Sequence, residues 1–392
     1  MALTGPAGGP AAAPPAGLVP AATALGEEVA RLTGDLGGVV DVDPLALLGE
    51  RAALTGFTRH GRRTCGGSGE LLPTADGWLA VSLPRPDDLA LVPAWLGTAQ
   101  SPAEVVAGRS THGLVVTGAE LGLAVAALGE AVGDRRPVLA TAGARAGRRP
   151  ALADAVVVDL SSLWAGPLCG HILTAAGARV IKVESSGRPD AARSGPPAFF
   201  DLLHAGQQSV TLDLSTTAGR RALAGLVARA DIVIEASRPR ALAQLGVDAA
   251  AEVAARPVVW VSITGHGRRA ALRTAFGDDA AVAGGLVAGW PAAIDGDDEP
   301  GGPWFCADAV ADPLAGLTAA VAALDRWQAG GGWLLDVSMA AVAAGCAGRP
   351  AGAWRGPVAP PRARATTGAA RPLGADTDAV LADLHVCARG GS

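Results

Sequence analysis

From residue 155 onward, short apolar runs alternate with helical stretches, and this rhythm is what most limits the fold. The runs are "AVVVDL", "ARVIKVE", "QSVTLDL", "DIVIEAS", "PVVWVSITG" and "GGWLLDVSM". Each has strand length, is rich in Val and Ile, and is continuous rather than alternating with polar residues. Strands of that kind are buried on both faces, which is the habit of parallel sheets covered by helices on either side. Between them the pattern predicts helices over residues 167–176, 217–229, 239–247 and 313–329. Strand–helix alternation gives an α/β fold with a Rossmann-like parallel sheet, and ligands in such sheets gather at the carboxyl ends of the strands.

The first 150 residues lack this rhythm. "MALTGPAGGPAAAPPAGLVPAA" reads as the core of a flexible Ala/Pro/Gly tail over residues 1–25. Residues 26–150 read as a smaller α+β segment plus a linker. They are helical to about residue 55, then form a hairpin turning at Asp76-Gly77 and a further helix, and end in the polar stretch "GDRRPVLATAGARAGRRPALAD". The large domain then spans 151–345, a Pro/Arg/Gly linker 346–372, and a closing helix with its tail 373–392.

Several function classes drop out on composition. A net charge of −5 over 392 residues leaves no electrostatic footprint for nucleic acid. No apolar run reaches membrane-spanning length without a charge, Gly or Pro. The N-terminus lacks the basic start and long apolar stretch of a signal peptide. Cys65, Cys169, Cys306, Cys346 and Cys387 are widely spaced with no CxxC pair, and the histidines show no HExxH spacing. That pattern argues against a zinc site or a disulfide framework and for a reducing cytoplasm.

The motifs are individually ambiguous. "VVVDLSSLWAGPLCGHILTAAGARVIKVE" is strand, Gly-containing loop, helix and strand, with Glu184 where a ribose-binding acid would stand. Its glycines, Gly166 and Gly170, do not make a GxGxxG, so a nicotinamide site is not supported. "ITGHGRR" lacks the GK[ST] of a phosphate loop, and no GxSxG elbow is present. His171 and Cys169 lie in an apolar helix and read as packing. Asp278-Asp279 reads as a helix cap or a carboxylate pair. In "CADAVADPLAGL" two aspartates stand at the threshold of an Ala/Leu-rich helix. Asp312-Pro313 is a sound helix start, because Asp caps well and Pro suits the first helical position. Taken alone it reads as a cap, since most capped helices are only capped helices, and chemistry at the carboxylate is the rarer alternative.

The order of the blocks is more specific than any one of them. Residues 155 to about 342 resemble the large domain of family III CoA-transferases, the group containing formyl-CoA and carnitine-CoA transferases and α-methylacyl-CoA racemases. The resemblance runs through "VVDLSSLWAGPLCGHILTAAGARVIKVE", "SVTLDLSTTAGRRAL", "ADIVIEASRPRALAQLGV", "VWVSITGHG", "VADPLAGLTAAVAAL" and "GGWLLDVSM". It implies a Rossmann-like large domain of that type, here with the smaller α+β segment placed N-terminally, and a rearranged member of the family. It implies Asp312 as the catalytic carboxylate of an acyl-CoA:carboxylate CoA-transferase, working through an aspartyl mixed anhydride and an aspartyl-CoA thioester. The alternatives are an acyl-CoA racemase or isomerase, and a degenerate member that only binds CoA esters. A racemase has a histidine where Asp278 stands.

The resemblance further places CoA against Leu163, Trp164 and Ala165 after the first strand, and against Ala236, Ser237, Arg238 and Ala241. The "TGHG" loop is a candidate source of N–H groups for an oxyanion. Coenzyme A thioester is implied as substrate rather than as a tightly bound cofactor. The expected partners are an acyl-CoA donor and a carboxylic acid acceptor, with no nucleic acid, no membrane, and a homodimer as the assembly. Three departures bear on CoA: Ser185, the uncharged "HAGQQS", and Gln244 stand where the family carries cations.

Overall fold

The expected alternation becomes one seven-stranded sheet in the computed structural model, which describes residues 2–133, 136–146, 151–289, 302–349, 354 and 356–386. The strands in chain order are β1 (Gly69–Pro73), β2 (Trp78–Ser82), β3 (Ala124–Ala127), β4 (Val138–Ala142), β5 (Val156–Asp159) and β6 (Arg179–Ser185). They continue as β7 (Gln208–Leu212), β8 (Ile232–Glu235), β9 (Val259–Thr264), β10 (Val287–Ala288), β11 (Trp304–Phe305) and β12 (Trp333–Ser338). The large sheet has the order β4-β12-β9-β8-β5-β6-β7. Its pairs are parallel except at the β4 edge, which runs antiparallel to β12.

Period-2 burial on both faces explains the continuous Val/Ile runs. Val157, Ile232, Ile234, Val259 and Val261 point into one core, with Trp164, Leu168, Leu314, Leu317 and Leu324. Their alternates Val158, Val233 and Trp260 point into the other, with Leu223, Leu226 and Val227. Each such side chain withdrawn from water is worth about 1.5–3 kcal/mol, so both faces must stay covered. The Ala311–Gln328 and Ala165–Ala175 helices pack closely on one face because Gly316 has no side chain. A Cβ there would lie 2.7 Å from the Ala165 carbonyl oxygen.

This strand order sets where a ligand can enter. From β5 the chain moves outward to β6 and β7, then returns to lay β8 on the other side of β5 and continues to β9 and β12. The loops after β5 and β8 therefore leave the same carboxyl edge at the point where the winding reverses, which opens a crevice.

Three expectations for the flanks are revised. The tail expected at 1–25 is packed: Thr4 is fully buried, and Leu3, Ala11 and Ala12 are also inside. The Leu18–Asp35 helix lays Leu18, Ala22, Val29 and Leu32 into the same core as the Ala311–Gln328 helix. Ala and Gly read as linker in sequence, yet a helical stripe needs only a few large residues at the right spacing. Second, "VLATA" in the expected linker is β4. Third, the stretch read as a linker before residue 373 straps the N-terminal segment down. Arg364 forms a double contact with the fully buried Glu50 (2.7 and 3.0 Å), and Arg362 pairs with Asp43.

The smaller α+β segment is a β1-β2-β3 antiparallel sheet carrying the Pro86–Leu96 and Thr111–Glu120 helices. Its hairpin turns at Asp76-Gly77 as expected. The closing helix stands at Thr377–Asp383, held to β7 where the Asp376 carboxylate accepts the Ser209 N–H at 2.9 Å. Cys387 lies outside the described residues. Among the described residues no helix is long and apolar enough to cross a membrane.

Candidate active site

Asp312 does not cap its own helix. The Ala311–Gln328 helix begins one residue earlier, Val310 occupies the capping position, and no side chain serves it. Pro313 is thus the third helical residue rather than the first. The Asp312 carboxylate turns instead toward the neighbouring Gly277–Ala283 helix, where its Oδ2 lies against Gly277 and the Gly277 N–H favours its ionised form. Gly277 has to be glycine, because a Cβ there would collide with Asp312 Oδ2 and with the Ala309 carbonyl oxygen.

The loop 306–310 that delivers Asp312 is unusually constrained. Ala307 and Ala309 adopt φ of 59° and 45°, a region that non-glycine residues rarely enter and that costs about 1–3 kcal/mol apiece. Contacts from distant segments hold them there. The Ala307 N–H donates to Thr4 Oγ1 (3.0 Å), Cys65 Sγ donates to the Ala307 carbonyl oxygen (3.4 Å), and Asp278 Oδ1 accepts the Ala309 N–H (2.9 Å).

Asp308 lies between the two strained alanines, fully buried, and meets Arg51 through both carboxylate oxygens at 2.8 and 2.5 Å. The guanidinium also stacks over Trp164, 5.2 Å from the ring centre. Three carboxylates (Asp278, Asp308 and Asp312) therefore share one cation. Burial pushes Asp312 up to about 7; Arg51 opposes this, Asp278 and Asp308 add to it, and the Gly277 N–H opposes it. Burial and the neighbouring Asp308 push Asp278 to about 7 as well, against Arg51 and the Ala309 N–H. Asp312 and Asp278 are only partly buried, so both keep access to solvent and to a reactant. A carboxylate poised near neutrality in such a place suits nucleophilic or proton-transfer chemistry.

Asp279, the other half of the expected pair, faces away from this work. It is fully buried and accepts the Phe276 N–H (2.9 Å), which makes it the helix cap of the two readings.

The residues placed near CoA by the sequence lie on the two loops of the crevice. Leu163, Trp164 and Ala165 follow β5, and Ala236, Ser237, Arg238 and Ala241 follow β8. Leu163 is exposed with φ 71°, and its N–H is tied to the Asp190 carboxylate at 3.1 Å. Trp164 and Ala165 are buried, and Trp164 reaches the acidic cluster through Arg51. Ser237 donates to Glu235 (2.9 Å), while Arg238 donates to the Gly122 carbonyl oxygen (3.4 Å) in the smaller sheet's segment. Burial lowers the Arg238 pKa, and so do Arg240, Arg85 and Arg188, so four arginines gather on this rim. Arg188 follows Ser185 by three residues, and Arg85 comes from the N-terminal segment. They bring positive charge to this rim.

Other candidates separate from the site. Glu184 is occupied by Arg193 (2.6–3.1 Å) and by the Asp190 N–H. Burial drops His171 to about 4 and raises the Cys169 thiol, which leaves both neutral at pH 7. The "TGHG" turn is fastened to β12 and its following helix: the Arg268 N–H donates to Asp336 and the Ala340 N–H to the Gly265 carbonyl oxygen. Sequence reasoning missed Arg51 and gave Asp308 no role. Asp308 was visible as the first acid of "CADAVAD", but nothing local pointed to Arg51.

Comparison with known proteins bears on the family of the chain. The family model described as CoA-transferase family III matches residues 152–389. Succinyl-CoA–D-citramalate CoA-transferase of Chloroflexus aurantiacus is 30% identical over 204 residues, 48% of this chain and 49% of that protein. Succinate–glutarate CoA-transferase of Agrobacterium fabrum is 33% identical over 184 residues, 43% of this chain and 45% of that protein. A CAIB/BAIF family protein of known structure from Brucella suis is 30% identical, with a TM-score of 0.43 over 50% of this chain and 55% of that one. The chain spans about half the length of the curated relatives it matches. With the family model covering well over half of its residues, from the strand before the Gly-containing loop to the closing helix, this chain belongs to CoA-transferase family III.

Proposed function

We propose that the protein is an acyl-CoA:carboxylate CoA-transferase with Asp312 as nucleophile. The observation that carries this reading is the half-buried Asp312 carboxylate, set against Gly277 and within the influence of Arg51 at the head of the Ala311–Gln328 helix. An Asp312 oxygen attacks the thioester carbonyl carbon of the donor, and the C–S bond breaks to release CoA thiolate and leave a mixed anhydride. The thiolate then attacks the Asp312 carbonyl of that anhydride, the donor acid leaves as its carboxylate, and an aspartyl-CoA thioester remains. The acceptor carboxylate repeats the sequence in reverse: it displaces thiolate from Asp312, and the thiolate takes the acceptor acyl group. No proton is consumed overall.

The crevice supports the binding half of this reading. The loop at Leu163–Ala165 and the loop carrying Ala236, Ser237, Arg238 and Ala241 flank one opening, with the arginine group on its rim for the CoA phosphates. CoA ester is substrate here and not a resident cofactor. Because two relatives are named for succinyl-CoA or succinate, succinyl-CoA is the first donor to try. Asp278, where a racemase carries histidine, supports transfer over racemisation. The reading also includes a cytoplasmic homodimer, which sedimentation would test.

Intact-protein mass spectrometry after incubation with succinyl-CoA and other acyl-CoAs, with hydroxylamine or borohydride trapping, tests the mechanism directly. A trapped adduct that maps to Asp312 and is absent from Asp312→Asn is the expected result. CoA-ester binding without any adduct would overturn the covalent route.

A further inference from the structure

The cation that faces the proposed nucleophile lies outside the region matched to the family. Arg51 projects from the short Glu50–Thr55 helix, about a hundred residues before residue 152. We propose that Arg51 is a positioning residue for Asp312: locked on Asp308 and stacked on Trp164, it supplies the positive charge that lets Asp312 act as an anion beside two other carboxylates. The inference rests on the transferase reading and deepens it.

Geometry first fixes the guanidinium. Its fork meets both oxygens of the buried Asp308, and its plane is bracketed by Trp164 at 5.2 Å and Phe57 at 6.0 Å. A bidentate, stacked arginine has little freedom to leave, and lysine cannot reproduce the fork. The helix that carries it is anchored in turn. The neighbouring Glu50 is held by Arg364, and Gly49 packs against Pro361, so the strap 356–372 sets where Arg51 points.

Charge then makes the position matter. The charged and titratable groups around Asp312 come from several elements. Asp278 and Asp279 lie on the Gly277–Ala283 helix, Cys306 and Asp308 on the preceding loop, Cys65 before β1, and Arg51 itself on its own helix. The Ala165–Ala175 helix packed alongside carries Cys169 and His171, both neutral at pH 7. The Leu18–Asp35 helix brings Arg31 only to the far end, where it faces Asp325. Of the groups acting on Asp312, Arg51 is the cation, while Asp278 and Asp308 are anions. Without it, two like charges and partial burial favour the protonated acid, which cannot attack a thioester.

The test titrates Asp312 directly in the full chain, labelled with carboxyl-13C aspartate and assigned by its loss in Asp312→Asn. Arg51→Met should move the Asp312 midpoint upward by at least about one pH unit, equivalent to a tenfold fall in the ratio of ionised to protonated form at a given pH. Arg51→Lys should recover part of that shift, and Arg51→Met/Asp308→Asn should recover part by removing a repelling charge. An unchanged midpoint in folded Arg51→Met would overturn the proposal. The pH profile of the succinyl-CoA adduct gives the second readout and should shift in parallel. Should the wild-type chain form no adduct, the transferase reading fails while the titration still decides the role of Arg51.

Discussion

Two regions of this molecule bury several acids each, and they treat them in opposite ways. At the carboxyl end of β5 and β6, Lys182 donates to the Asp190 carboxylate (3.0 Å) and the Ser161 carbonyl oxygen, and Arg193 chelates Glu184. Burial raises Asp190, but the Lys182 charge and hydrogen bonds from Ala192, Lys182 and Leu163 outweigh it and leave its pKa below the ordinary value. Around Asp312 the acids outnumber the cation three to one, and Asp278 and Asp312 rise to about 7. Burial is common to both, and it still raises Asp159 beside Lys182, so the contrast is carried by Asp190, where the cation and the N–H donors outweigh burial. A saturated cluster fixes backbone, here the Leu163 loop through its N–H. An undersaturated one stores reactivity.

Removing an acid from one region and a cation from the other should therefore give opposite stability signs. Asp312→Asn is expected to lose transfer by on the order of 10⁴-fold, while gaining about 1–2 kcal/mol at pH 8, because it deletes a disfavoured charge. Steady-state kinetics and urea titration check the two halves. Lys182→Met should instead lose about 3–5 kcal/mol in the same titration, since Asp190 is left charged and unpaired. Equal destabilisation by both variants would erase the distinction between the regions.

Smaller changes sharpen it. Gly277→Ala drives a methyl into Asp312 Oδ2 and the Ala309 carbonyl oxygen, so transfer should fall by about 10²-fold, the scale of an ångström's misplacement. A variant with unchanged kcat would show that the carboxylate need not sit there. The last prediction concerns Asp279, the buried cap, which burial raises from 3.8 to about 7. The native state keeps its proton up to about pH 7 while the unfolded chain releases it near 4, so stability is lost as pH rises through that interval. Buried His204 and His266, lowered to about 3, act in the opposite sense below pH 6.5, so the comparison is made between variant and wild type. The stability of Asp279→Asn relative to wild type should increase between pH 4 and 7, by on the order of 4 kcal/mol, and then level off. A flat difference across that range would mean Asp279 is ionised in the fold.

The sequence by itself determined the strands β5 to β9 and β12, four of the helices between them, and the position of Asp312 near a helix start; the Pro197–His204 and Ala249–Ala255 helices escaped it. Those features are local: side-chain periodicity decides which face is buried before any distant residue arrives. It also carried the family resemblance, block by block. The first 25 residues misled where Ala, Gly and Pro hid packing surfaces, as at Leu18 and Ala22, whose partner helix lies nearly three hundred residues away.

Only the tertiary structure decided what surrounds Asp312. Arg51 and Asp308 are 257 residues apart, and Thr4 holds a loop residue 303 positions later. The ionisation of a buried acid follows from the desolvation and charges around it in space, summed over every element that reaches it. No local pattern contains that sum. A chain can display its proposed nucleophile in four letters and keep the cation proposed to charge it hidden until the fold closes.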